Sequence, residues 1–181
     1  MPLVPPTLYI PTLDGGDRLA SCLEAVLAQT VPATVVVADN GSGTGCSQLL
    51  ESRFPDVIRI GFGGRNLGFG PALNRAVAAH GEGPVILLND DARPQPDFVE
   101  KLLAAWNDGE YEMVAGVLLR SSEPDVIDSA GIVCDRTLTA WDYLTGDPVN
   151  RLDGAADPFG PTGGGALFDR AAYNAVGGFD E

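Results

Sequence analysis

Four short apolar runs, residues 7–11, 34–38, 57–60 and 85–88, are separated by segments whose apolar residues recur at helical spacing. No other feature of this chain restricts its fold as strongly. Leu19, Cys22, Leu23, Val26 and Leu27 fall at i, i+3, i+4, i+7 and i+8, with Asp17 at the start of the segment to complement the helix dipole. A modest helix is expected over 46–54. Phe69, Ala72, Leu73, Ala76 and Val77 repeat the pattern, which ends near Gly81. Phe98, Leu102 and Trp106 form a third stripe behind the start signal Pro96-Asp97. The runs are continuous instead of alternating, as in strands covered on both faces. Strand, helix, strand, helix, strand, helix, strand predicts one α/β domain with a mostly parallel sheet and helices on both sides.

The later chain is less regular. Residues 113–119 read as a strand. From 120 to 159 the periodicity fails, apart from short strands around 131–134 and 138–141. Gly163-Gly164-Gly165 permits close backbone approach, and 169–176 reads as a short helix stopped by Gly177-Gly178.

At 181 residues, one well-buried domain is the expectation. Asp and Glu outnumber Lys and Arg 25 to 11, for a net charge of −14 with no basic cluster, which argues against nucleic acid and anionic lipid as partners. No apolar run approaches the ~18 residues of a membrane span, and no basic stretch followed by an apolar core marks the amino terminus. A cytoplasmic protein without an integral membrane segment is expected, with peripheral contact at the inner membrane face left open. Cys22, Cys46 and Cys134 are odd in number and widely spaced, so they read as reduced thiols and not as a disulfide or zinc framework. His80 is the sole histidine, at an expected helix end where a cation favours the dipole.

The chemistry concentrates where strands end. Asn89, Asp90 and Asp91 follow the fourth run at the carboxyl edge, where open α/β sheets bind ligands. Adjacent carboxylates repel unless a cation or water lies between them, and such oxygens suit Mg²⁺ or Mn²⁺. These residues alone fit either a metal-diphosphate site or a solvated turn leading to Pro94. Gly41, Gly43 and Gly45 after the second run could admit a phosphate. Cys46 stands where the dinucleotide fingerprint has its last glycine, and no Gly-Lys-Ser/Thr ending makes a P-loop, so this is read as a flexible loop with Asp39 its more informative residue. Residues 61–68 form a second polar, glycine-rich loop.

In order, Ile10-Pro11-Thr12, the stretch from Cys22 to Thr30, Val37-Ala38-Asp39-Asn40-Gly41-Ser42, Asn66-Leu67-Gly68-Phe69, Leu87-Leu88-Asn89-Asp90-Asp91, the stretch from Gly163 to Phe168, and Val176-Gly177-Gly178-Phe179-Asp180-Glu181 resemble the nucleotide-sugar glycosyltransferases of family 2, in a rhamnosyltransferase-like variant. The resemblance implies a single Rossmann-like GT-A domain over 1–181, with a nucleotide-sugar part to about 119 and an acceptor-side part over 120–181. It implies an inverting, metal-assisted transfer from a UDP- or dTDP-linked sugar to the hydroxyl of a carbohydrate or lipid-linked acceptor. Pro11 and Thr12 would line the nucleoside pocket, and Asp39 would hydrogen-bond the base, favouring a pyrimidine. Arg65, Asn66 and Gly68 would lie along the nucleotide. Asp91 would hold the divalent Mg²⁺ or Mn²⁺, with Asp90 facing the ribose or metal shell.

Three departures bear on this. Asn89 stands where the family's Asp-x-Asp motif has its first carboxylate, and Ala76 replaces a glycine. The acidic pair that supplies the family's catalytic base follows the segment ending in Asp180-Glu181, and this sequence stops before it, leaving Asp180 as an acceptor-side residue and an incomplete, inactive domain as the expectation. A non-catalytic nucleotide-sugar binding module is the alternative. A sugar-phosphate nucleotidyltransferase needs a basic loop after the first strand, and Leu13-Asp14-Gly15-Gly16-Asp17 lacks it.

Overall fold

The alternating runs build one mixed sheet between two helical layers. The computed structural model describes residues 4–108 and 111–180. In chain order it contains β1 (Thr7–Thr12), α1 (Asp17–Leu27), β2 (Thr34–Asp39), α2 (Gly45–Arg53), β3 (Ile58–Gly61), α3 (Phe69–Ala79), β4 (Val85–Leu88), α4 (Phe98–Asp108) and β5 (Met113–Ala115). There follow β6 (Leu118–Arg120), β7 (Glu123–Ser129), β8 (Ile132–Cys134), β9 (Ala140–Asp142), a 3-10 turn (Val149–Leu152), β10 (Gly165–Phe168) and α5 (Arg170–Val176).

The main sheet has the order β3-β2-β1-β4-β10-β5. The first four strands are mutually parallel, whereas β10 runs antiparallel to both β4 and β5. From β1 the chain winds outward through β2 to β3, then returns to place β4 on the other side of β1. The gap between the carboxyl ends of β1 and β4 is therefore the topological switch point, where ligands bind in open α/β sheets.

Successive strand residues feed two cores. Leu8, Ile10, Val35, Val37, Ile86 and Leu88 pack beneath α1, α2 and α4, while Tyr9, Val36, Ala38, Val85 and Leu87 pack beneath α3 and α5. Both faces are covered, so each of the Val, Leu and Ile side chains among these contributes about 1.5–3 kcal/mol of burial and the runs cannot alternate with polar residues.

Several expectations are corrected. The strand expected over 113–119 is two: β5 joins the main sheet and β6 pairs with β7 in a separate hairpin. The break falls at Gly116, where an added Cβ would lie 2.9 Å from both the Gly165 carbonyl oxygen and the Phe98 ring. Neither β7 nor β10 was expected. Leu27 and Phe69, assigned to buried stripes, are 54% and 41% exposed because each sits at the end of its helix. His80 does cap α3, but the cation that reaches its last turn is Arg170, which donates to the carbonyls of Val77 and Gly83 and to the Tyr9 hydroxyl. The short strands expected near 131 and 138 are present as β8 and β9.

Candidate functional site

Thr12 and Asp90 meet across the switch point. Thr12 is the last residue of β1 and is buried; its hydroxyl donates to Asp90 Oδ2 at 2.6 Å and accepts from the Gly15 amide at 3.2 Å. The turn beyond Thr12 is packed on the start of α2. Gly15 has φ +62°, and a Cβ there would lie 2.6 Å from the Cys46 backbone, so only glycine fits.

Asp90 is half-buried and Asp91 exposed. Burial pushes the Asp90 carboxyl above its ordinary range; the Thr12 hydroxyl opposes this, while the charges of Asp91 and Asp14 reinforce it. Beneath the pair, the Cys22 thiol is pushed up to about 12 by burial, with Asp90 and Asp91 adding to the effect. It stays protonated near neutrality and is no nucleophile. The Asn89 amide donates to the Gly164 carbonyl at 3.2 Å, so the glycine triplet supports this edge by the close approach its composition allows.

One step along the rim, Asp39 pairs in register with Thr12 on one side and Gly61 on the other. Its side chain is 3% exposed, and one carboxylate oxygen, Oδ2, accepts from both Arg59 Nε at 2.9 Å and Nη2 at 2.6 Å. The other carboxylate oxygen accepts from the Gly41 and Ser42 amides. Burial alone would raise this carboxyl, but the hydrogen bonds from Ser42, Arg59 and Gly41 outweigh it and hold Asp39 below the usual range.

The buried Asn40 ties this rim to the second loop. Its Nδ2 donates to Asn66 Oδ1 and the Gly68 carbonyl, both at 3.1 Å, and its Oδ1 accepts from the Leu67 amide at 2.8 Å. Arg65, Asn66 and Gly68 are exposed along this edge, and Arg65 makes no ion pair among the described residues. Pro11 is half-buried beside Thr12.

Thr12, Asp39, Asn66, Gly68 and Asp90 are thus brought to one rim. Asp180 is exposed on the α3 side, and no hydrogen bond or ion pair among the described residues joins it to Asp90 or Asp91. Sequence reasoning missed Asn40 as a loop anchor, Arg59 as the partner of Asp39, and Asn74 on α3. Arg59 had one signal, a lone cation inside an apolar run. A depression of about 500 Å³ lined by Thr7, Thr34, His80 and Glu82 is at the opposite rim.

Among the described residues no group of three His, Cys, Asp or Glu side chains is placed to hold a metal ion by itself, and what the rim offers is the carboxylates of Asp90 and Asp91. That donor set suits a hard cation held by one or two carboxylates and completed by phosphate oxygens, and the crowding of Asp90, Asp91 and Asp14 is what such a cation would relieve.

The family model described as Glycosyl transferase family 2 matches residues 7–177. The chain is 32% identical to N-acetylglucosaminyl-diphospho-decaprenol L-rhamnosyltransferase of Mycobacterium tuberculosis, over 94% of this chain and 63% of that protein. Among solved structures it superimposes on a mannosyltransferase from Pyrobaculum calidifontis in complex with GDP-Man and Mn²⁺, with TM-score 0.68 and 19% identity, covering 98% of this chain and 48% of that one. S. aureus TarS in complex with UDP-GlcNAc gives TM-score 0.64 at 13% identity, over 95% and 47% of the two chains. The GT-A fold is shared with these solved glycosyltransferases. The chain spans 63% of the curated relative's length and about half of the solved chains.

Proposed function

This chain belongs to glycosyl transferase family 2, and on that premise we propose that it binds a UDP- or dTDP-linked sugar at the switch-point rim for inverting transfer to an acceptor hydroxyl. The observation that carries this reading is the hydrogen bond from Thr12 to Asp90, which sets two loops and a carboxylate pair at the gap between β1 and β4. The nucleoside would lie along Pro11 and Thr12 towards Asp39, with Arg65, Asn66 and Gly68 bordering the nucleotide. Arg65, which makes no ion pair among the described residues, offers a cation to the diphosphate in a chain of net charge −14.

Asp91 would hold a divalent Mg²⁺ or Mn²⁺, with Asp90 beside it, and such an ion would neutralise charge on the departing diphosphate oxygens. The acceptor oxygen bonds to the anomeric carbon from the face opposite the nucleotide as the bond from that carbon to the diphosphate oxygen breaks. The hydroxyl proton passes to a carboxylate base, and the nucleoside diphosphate leaves with the bonding pair. Asp180, exposed beyond α5, is proposed to contact the acceptor.

The Mycobacterium relative's name specifies a diphospho-decaprenol-linked acceptor. A carbohydrate or lipid-linked acceptor is accordingly proposed here. No helix among the described residues is long and apolar enough to cross a membrane. Calorimetric titration with UDP, dTDP and GDP, each with and without Mn²⁺, tests the reading. Metal-dependent binding of a pyrimidine diphosphate is expected, and no binding of any of the three would remove it.

A further inference from the structure

We propose that Gln29 is the positioning residue of the Asp90-Asp91 turn, its side-chain amide fixing the far end of that turn so that the Asp91 carboxylate stays where a divalent cation can use it. The inference rests on the metal-diphosphate reading above. Residues Asn89 to Asp97 join β4 to α4 and carry both carboxylates. At the near end, the Asn89 amide donates to the Gly164 carbonyl, and the Asn89 carbonyl accepts from the Ala92 amide at 3.2 Å and the Cys22 thiol at 3.5 Å. At the far end stands Gln29, two residues past the end of α1. Its Nε2 donates to the Gln95 carbonyl at 2.7 Å and the Ala25 carbonyl at 3.2 Å, and its Oε1 accepts from the Val99 amide at 3.0 Å. The Thr30 amide adds a bond to the Pro96 carbonyl at 2.8 Å.

A carboxamide is the side chain this place requires. Ala25 lies in the last turn of α1 and Val99 in the first turn of α4, so the carbonyl of one and the N–H of the other have no partner within their helices. An amide carries donors and an acceptor together and can serve both. Cys22 belongs to α1 as well, on the buried face with Leu19, Leu23 and Val26. Both ends of the turn are thereby referred to one packed helix. Between them Asp90 is held by Thr12, but Asp91 is exposed and makes no ion pair among the described residues. Its carboxylate is placed by the backbone alone, and the backbone by its two ties. Mg²⁺ accepts oxygen ligands only within a narrow range near ~2.1 Å, so a turn released at one end loses the cation before it loses the nucleotide.

The test measures UDP affinity by calorimetry, with and without Mn²⁺, in the unaltered chain, Gln29→Met and Gln29→Glu. Methionine keeps the length and the packing without donor or acceptor; glutamate keeps an acceptor for Val99 but sets a carboxylate oxygen against the Gln95 carbonyl. In both variants the gain in affinity conferred by Mn²⁺ is expected to fall about tenfold, with metal-free affinity unchanged. In the Asp91→Ala background, Gln29→Met is expected to change UDP binding no further. Coupling is reciprocal, so adding Mn²⁺ to the UDP complex of the unaltered chain should slow hydrogen exchange at the Val99 amide, a measurement that needs no variant to fold. A full Mn²⁺ gain in either variant, an equal loss with and without the metal, or Val99 exchange indifferent to Mn²⁺ overturns the proposal. If the unaltered chain gains nothing from Mn²⁺, the metal reading falls and this one with it; if it gains and the variants gain as much, the role of Gln29 alone is lost.

Discussion

Asn74, in the middle of α3, holds both backbone groups of Phe179: its Nδ2 donates to the Phe179 carbonyl at 2.8 Å and its Oδ1 accepts from the Phe179 amide at 2.9 Å. The same oxygen accepts from the Tyr173 hydroxyl at 2.8 Å. One side chain thereby fastens the segment that carries Asp180 to the helix that starts just after the Asn66-Leu67-Gly68 loop. The Phe179 ring completes the attachment by edge-on contact with Phe69, Phe168 and Tyr173.

Asn74→Ala is expected to lower stability by about 1–3 kcal/mol, because it leaves the Tyr173 hydroxyl and the Phe179 backbone groups without partners in a partly buried place. Denaturant unfolding measures the loss. Hydrogen exchange at the Phe179 amide is expected to quicken well beyond the general effect, and unchanged exchange there would show that the aromatic contacts alone hold the segment.

Asp91→Ala is expected to remove the metal-dependent part of nucleotide binding. Asp91 is exposed, so its loss should leave stability within about 0.5 kcal/mol. Calorimetry with UDP should give the same affinity with and without Mn²⁺ in this variant, a loss of about tenfold or more relative to the unaltered chain in Mn²⁺. An intact response to Mn²⁺ would return Asp90 and Asp91 to the role of a solvated turn.

Asn40→Ala acts on loop order. It frees the Leu67 amide and the Gly68 carbonyl, so a stability loss of about 1–3 kcal/mol is expected, together with weaker UDP binding. Asn40→Asp keeps the acceptor for Leu67 but sets a buried carboxylate oxygen against the Asn66 Oδ1 and Gly68 carbonyl oxygens, and a loss at least as large is expected. A binding affinity untouched in both variants would separate the loop from the nucleotide.

The Asp39–Arg59 pair predicts an acid-side dependence of stability. The folded carboxyl lies below the unfolded value of about 3.9. Its contribution is therefore fully present above that value and is lost as pH falls through the folded value. Urea midpoints compared between the unaltered chain and Asp39→Asn should differ most above about pH 4 and converge below it. A constant difference through that range would mean that the variant's cost is steric and not electrostatic.

The linear order of apolar runs and stripes determined the core of the fold. Strands continuous in apolar residues must be covered on both faces, and each helix must turn one stripe to a sheet, so a parallel α/β layer follows from residues 7–88 with little help from long-range contacts. The rim was legible for the same reason: Thr12, Asp39 and Asp90 stand at or just past the ends of recognisable runs.

What only the tertiary structure decided came from contacts distant in sequence. β10 spans four residues and inserts antiparallel between β4 and β5, an arrangement that depends on strands some 50 and 80 residues earlier and leaves no periodic mark. Arg59 and Asp39 are 20 residues apart and Asn74 and Phe179 are 105 apart. Each pairs a polar group with a partner that folding alone brings within reach, because a hydrogen bond is set by position in space while hydrophobic patterning is written locally along the chain.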